Sequence, residues 1–240
     1  MSNVFKRGWI NISITMGIDS FDNYINEMEN FLSNQLYELE EQFKKDTSNL
    51  DSDEAENIFE YQYEDQFYYF RNEFPNILRK SFITSLYSFL EQELNRICLH
   101  LEKNNNFEKT LDNLTNDRGI FKSYKFLSQI ARVNLSTVRY EWEEIKKVNK
   151  IRNHFVHNGS DLIEEIVKYK PLDREEMRKN QTFNAFKHFN LVEEDPKFHR
   201  LLTETEILKY DIKIPSEFCK DVLSIIKKFF DELTSMLKLY

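Results

Sequence analysis

Apolar side chains recur every three or four residues along most of this chain, a spacing that predicts helix after helix. The first strong stripe begins near Ser20 and runs through Phe21, Tyr24, Ile25, Met28, Phe31, Leu32, Leu36, Leu39 and Phe43, ending in the polar run 44–49. Asp51 with Glu54 makes a capping-box pattern for a second helix, through Ile58, Phe67 and Phe70 to about Asn72. Pro75 suits the first turn of a long third helix, where its missing N–H is no loss. That helix carries Ile77, Leu78, Phe82, Leu86, Phe89, Leu90, Leu94, Ile97 and Leu101 inward. A polar loop with a short helix is expected over 104–118. Gly119 then precedes a helix with Ile120, Tyr124, Leu127 and Ile130 inward.

Ser136 is the expected N-cap of the next helix, whose stripe is Val138, Trp142, Ile145, Val148, Ile151 and Phe155. Asn158-Gly159 supplies its left-handed stop. Asp161 with Glu164 predicts a short helix directly afterwards. From 171 to 215 the periodicity weakens and three of the four prolines occur. Residues 206–214 alternate like a strand, which predicts an irregular insertion with one hairpin. Ser216 is the expected cap of a final helix carrying Phe218, Val222, Ile225, Ile226, Phe229, Leu233 and Leu237. The fold class read from this pattern is all-α. A helical bundle over 76–240 carries the insertion at about 171–215, and an acidic helical hairpin precedes it over 1–75.

With 240 residues, 40% of them hydrophobic, the chain is long enough to bury a core, and four glycines and four prolines leave room for long helices. The opening residues do not read as a signal peptide, because Asn11, Ser13 and Thr15 break the apolar run. No stretch approaches the roughly 18 uninterrupted apolar residues of a membrane span. Cys98 and Cys219 sit in apolar helical patterns and read as buried, reduced thiols. The expected home is cytoplasmic, away from membranes.

A net charge of −8 argues at first against a nucleic-acid partner, but its distribution does not. Residues 19–65 hold fifteen Asp or Glu against two Lys, a net of −13, which leaves +5 on the rest. A local basic face can meet a phosphate backbone whatever the total.

The sequence KKVNKIRNHFVHNGS, 146–160, contains four basic side chains and no acid. Arg152 and His157, five residues apart, stand about 140° from each other around an ideal helix. Fraying near Gly159, or a second copy of the chain, could bring them to one phosphate. Alternatively, Arg152 pairs with Glu144 or another carboxylate, and His157 only hydrogen-bonds near the helix end.

Arg152-Asn153-His154-Phe155-Val156-His157 resembles the R-x4-6-H motif of the HEPN superfamily, with the polar residue that often follows the arginine and an Asn-Gly behind it. The resemblance covers about 76–160 and 216–240. It implies a four- or five-helix bundle that dimerises and sets two motifs in one cleft. It also implies RNA cleavage without metal or cofactor, in which the 2′-hydroxyl attacks, leaving a 2′,3′-cyclic phosphate and a 5′-hydroxyl. Toxins and phage-defence effectors of the superfamily work this way, so an antitoxin or defence-system partner is implied as well. One departure stands out: the R-x4-H-x-Y form has a tyrosine two residues after the histidine, where this chain has Gly159.

The residue types suit that chemistry. Histidine, with an ordinary pKa of about 6.5, gives or takes a proton at neutral pH, worth roughly 10²–10⁴-fold in rate. Arginine offers phosphate a planar fork of donors and stabilises charge on a pentacoordinate phosphorus. Arg152, His157 and Asn153 are thus the expected catalytic residues, with the Asn153 amide holding the histidine or a phosphate oxygen. Lys146, Lys147, Lys150 and His154 are the expected RNA contacts, although the lysines also suit a solvated face and His154 a supporting position. His100, His188 and His199 have no metal-ligand spacing, and there is no Gly-rich phosphate loop or G-x-S-x-G elbow. Two function classes emerge. One is a homodimeric endoribonuclease; the other is a non-catalytic helical module that binds a protein, nucleotide or RNA.

Overall fold

The first helix, α1, runs from Asn3 to Thr47 and so starts well before Ser20 in the computed structural model, which describes residues 3–168, 170–202 and 205–238. Ile10, Ile14, Ile18 and Ile25 form one buried stripe, and the polar residues that break the apolar run in sequence lie beside it. The same twist leaves Tyr24 and Phe31, expected inward, exposed. The stripe packs α1 against α4 (Phe74–Asn104) and α8 (Ser216–Met236). Gly17 marks a close approach: a Cβ there would come within 2.3 Å of the Phe89 ring.

The acidic hairpin returns through α2 (Ser52–Ile58) and α3 (Glu64–Tyr68). Asp51 caps it as expected, its carboxylate accepting from the Glu54 N–H at 2.9 Å. Wider π-turns at Phe59–Tyr63 and Tyr69–Glu73 follow α2 and α3, and the second leads directly into α4. Pro75 falls in the first turn of α4 as expected, but with the π-turn running straight into that turn it separates no two helices. Its missing N–H falls just after a turn whose bonding is already rearranged, so the rod continues. At the hairpin's tip Phe43 meets Phe59, Tyr63 and Phe67 at centroid distances of 5.7, 5.2 and 6.1 Å. Nearer the bundle, Arg79 gives two 2.7 Å hydrogen bonds to Glu29 and a third, of 2.8 Å, to the Ile214 carbonyl. One buried cluster runs from Ile10 on α1 to Leu233 on α8, crossing the boundary expected near residue 75.

Beyond the polar loop come α5 (Gly119–Lys125), a π-turn at Phe126–Ile130 and α6 (Arg139–His157). Ser136 is not the cap of α6: Val138 holds that place, no side chain caps the end, and the Ser136 carbonyl accepts from the Arg139 N–H. After Gly159, at φ +58, the expected short helix is a strand, β1 (Leu162–Lys168). Lys80 and Asn76 of α4 hold the Asp161 carboxylate, so it caps nothing, while Ile163 and Ile166 are buried on the strand.

The insertion holds more structure than expected. Asp173 and Glu176 form a reciprocal capping box that starts α7 (Arg174–His188). The expected strand appears as β3 (Thr205–Asp211), and β2 (Phe198–Leu202) pairs with it to complete the hairpin. β1 joins from outside the insertion, giving an antiparallel sheet of order β1-β3-β2 with Ile166 opposite Ile207. The fold is therefore mainly α with a three-stranded sheet, rather than all-α with one hairpin. Ser216 is the first residue of α8 instead of its cap; Pro215, in an extended conformation, precedes it.

Cys98 and Cys219 are buried, and burial pushes both thiols up to about 12. Neither serves as a nucleophile near neutral pH. Among the described residues no helix is long and apolar enough to cross a membrane.

The approach at Gly17 gives a stability test. Alanine is normally the better helix residue by up to about 1 kcal/mol. Here its methyl must displace the Phe89 ring, which packs against Phe21 and Phe230. Gly17→Ala is expected to destabilise the protein by about 1–3 kcal/mol in urea unfolding; a gain in stability would mean that α1 does not dock this closely.

Candidate functional site on helix α6

The buried residues Trp142, Ile145, Val148 and Ile151 press one side of α6 into the core, with Trp142 stacked on Tyr124 at 3.9 Å. The helix stays regular to His157, and Asn158 still has right-handed backbone angles before Gly159 turns the chain. The fraying that would swing Arg152 and His157 together is absent. At 100° per residue, Lys146, Lys150, Asn153 and His157 fall within about 60° of one another. They form a polar stripe on which Arg152 has no place.

Arg152 lies half-buried with its guanidinium over the Tyr87 ring at 5.3 Å. Burial holds the Tyr87 hydroxyl well above its usual range, so it stays protonated. From Arg152, Nη1 donates to Asn153 Oδ1 at 2.9 Å, and Asn153 Nδ2 donates to Asn149 Oδ1 at 3.2 Å. Nε is buried and has no hydrogen-bond partner. No carboxylate of the described residues pairs with this guanidinium, so the alternative of an ion pair with Glu144 does not occur. Glu144 is committed elsewhere, as described below. His157 is exposed, and its ring makes no hydrogen bond or ion pair among the described residues. Within one chain the two motif residues thus face different directions.

The three lysines line an open groove of about 500 Å³ between α6 and α7, along with Phe121, Asn149, Gln181 and Asn184. Lys146 pairs with Glu143 at 2.6 Å. Lys147 pairs with the buried Glu144, also at 2.6 Å, and His188 Nε2 lies 2.7 Å from that residue's other oxygen. Burial raises the Glu144 pKa, but Lys147 and His188 outweigh it and the net direction is down. Lys150 differs from its neighbours. It donates to the neutral Gln181 amide at 2.7 Å and pairs with no carboxylate among the described residues; burial, then Lys146, lowers its pKa. Gln181, Asn184 and His188 sit on a helix that the periodicity does not reveal, so sequence reading misses them.

His154 is buried, not set out as an RNA contact. Its Nε2 donates to the Ser160 carbonyl at 3.2 Å and Asn158 Nδ2 donates to its Nδ1 at 3.1 Å, leaving the ring neutral with both nitrogens engaged. It holds the end of α6 to the turn that enters β1. Among the described residues, no group of three or more His, Cys, Asp or Glu is placed to hold a metal ion. Set against protein-family models, curated proteins and solved structures, the chain matches none.

His154 carries a pH prediction. Burial lowers its folded-state pKa below the ordinary 6.5, although the Ser160 contact opposes this. The unfolded chain therefore binds the proton more readily. The stability contributed by the neutral ring is fully present above about 6.5 and is lost as pH falls through the folded value. Wild type should be more stable than His154→Gln at pH 8, and urea unfolding should show the gap narrowing by pH 5. An unchanged gap would place the acid sensitivity in other groups.

Proposed function

We propose that this protein is a metal-independent endoribonuclease of HEPN type, a toxin or antiviral defence effector whose active unit is a homodimer. The observation that carries this is the state of the two motif side chains: among the described residues, a half-buried guanidinium has no carboxylate and an exposed imidazole has no hydrogen-bond or ion-pair partner. Keeping a cation half out of water without a counter-ion costs free energy, which an incoming phosphate would recover. Because the regular helix turns Arg152 and His157 apart, a second copy supplies what one chain lacks.

In that dimer one His157 takes the proton from the ribose 2′-hydroxyl as its oxygen attacks phosphorus. The P–O5′ bond breaks as the new bond forms, and the other His157 gives its proton to the departing 5′-oxygen. The products are a 2′,3′-cyclic phosphate and a 5′-hydroxyl, and exchange with water resets both rings. Arg152 faces the charge that gathers on the non-bridging oxygens. Asn153 aims that guanidinium through its 2.9 Å contact. An antitoxin or defence-system partner fits this reading as the agent that restrains it.

The non-catalytic alternative draws on the hairpin, whose acidic surface also exposes Tyr37, Tyr61, Tyr68 and Tyr69. Such a surface suits a basic partner protein.

The purified protein is expected to cut RNA in EDTA. Arg152→Ala and His157→Ala should each lower the rate by about 10²-fold or more, with circular dichroism unchanged. Mixing equal amounts of wild type and His157→Ala under subunit exchange should leave about a quarter of the dimers with both imidazoles, and activity per dimer should fall to about that fraction. Cutting that requires Mg²⁺, or survives either substitution, would refute the assignment. A monomer that binds a basic protein and leaves RNA intact would favour the alternative.

A further inference from the structure

The groove between α6 and α7 has more than a polyanion needs. Electrostatic tracking of a phosphate backbone takes cations alone, yet only Lys150 of the three lysines lacks a carboxylate. The remaining wall is an aromatic ring, three amides, Ala185 and Glu143, the carboxylate that Lys146 already pairs. Phe121 is held edge-on against Trp142 at 5.7 Å and keeps 39% of its surface exposed. Asn184 is exposed, lines the groove and makes no hydrogen bond among the described residues, so both its donor and its acceptor are free. Gln181 is fixed through its oxygen on Lys150, which leaves its amide N–H groups to a ligand. The volume of about 500 Å³ admits a purine nucleotide.

Resting on the ribonuclease reading above, we propose that this groove is a base-selecting pocket, in which an adenine of the bound strand stacks on Phe121 and is read by Asn184. The chemistry that selects adenine is its paired donor and acceptor, N6 and N7, which one asparagine amide meets with two hydrogen bonds. Phe121 supplies a stacking face that every base can use, so it adds affinity, and the amide adds the choice. Lys150 takes the attached phosphate, the one ligand present that would neutralise it. The pocket also has the right place on the helix. His157 lies seven residues beyond Lys150 on the same stripe, about 10 Å along the axis, so the adenine selected would stand close to the cut. Three elements build the pocket: α5, α6 and the α7 that lies within the insertion.

Binding and cutting are measured separately on the full chain. Fluorescence anisotropy with short oligo(A), oligo(C), oligo(G) and oligo(U) should show wild type preferring oligo(A) by about tenfold. Asn184→Ala should bring the four affinities within about threefold. Phe121→Leu, which keeps an apolar side chain beside Trp142, should weaken all four by a similar factor of about ten. Mapped ends of cleaved RNA should show adenine enriched beside the cut in wild type and not in Asn184→Ala. Equal binding of the four oligonucleotides, a preference for another base, or an adenine preference that survives Asn184→Ala would overturn the proposal. AMP binding as tightly as oligo(A) would overturn it too, by making the pocket a free-nucleotide site. If oligo(A) is preferred and Asn184→Ala abolishes that preference while nothing is cut, the pocket stands and the ribonuclease reading falls.

Discussion

A helix that turns 100° per residue cannot bring side chains five positions apart onto one face, and α6 keeps that geometry as far as His157. Everything about the candidate site follows from this constraint. Arg152 is directed towards α4, over Tyr87, while His157 shares the outer stripe with Lys146, Lys150 and Asn153. The Arg152–Asn153–Asn149 relay leads from the half-buried guanidinium back to the groove wall. A chemistry that needs both groups therefore needs a second surface, which in the proposed homodimer would be the same helix on a second copy.

Keeping α6 straight falls to the elements around it. On one side α7 grips it through Glu144, a buried carboxylate that holds Lys147 and His188, and through Gln181 on Lys150. Removing one partner from such a buried group costs more than the pair contributes, because the remaining charge stays out of water. At the C-terminal end His154 fastens the helix to the turn at Ser160, and Lys80 fastens Asp161 to α4. The sheet is secured in its turn by α7: the Asn180 side chain accepts from the Ile166 N–H at 2.8 Å and donates to the Ile166 carbonyl at 2.7 Å. This amide satisfies an open edge of β1 that would otherwise invite another strand. The insertion is thus part of what positions the motif.

Legibility in the sequence followed where the burial information lay. α4, α6 and α8 bury full stripes and were plain from spacing. α7 buries only Phe183, Ala185 and Phe186, all in its second half, so no period develops, and its start was marked only by Asp173 and Glu176. β1 buries Ile163 and Ile166, three residues apart, which hides the alternation of a strand. Asp161 looked like a cap because capping and ion pairing draw on the same residue, and only the folded chain shows that Lys80 has taken it. For the site, the basic stretch 146–157 was readable, but Asn184, Gln181 and the Glu144–His188 contact depend on two helices meeting, which no local pattern records.

The acidity of the chain bears less on the groove than its total suggests. Ile25 is the last α1 residue in the buried cluster, and Phe43 at the hairpin tip lies eighteen positions on, roughly 27 Å along the axis. That is about three screening lengths at physiological salt. The acids at the hairpin tip therefore act mainly on their own surroundings. Of those alongside the bundle, Glu29 is consumed by Arg79. At the groove, Glu143 and Glu144 are each within 2.6 Å of a lysine. These local pairs set its potential, and they leave Lys150 as the lysine there without a carboxylate. Under the base-pocket proposal, a phosphate drawn to this groove would therefore settle at one defined point instead of sliding along a uniform basic face, with the aromatic ring and free amide beside that point placed to act on what it carries.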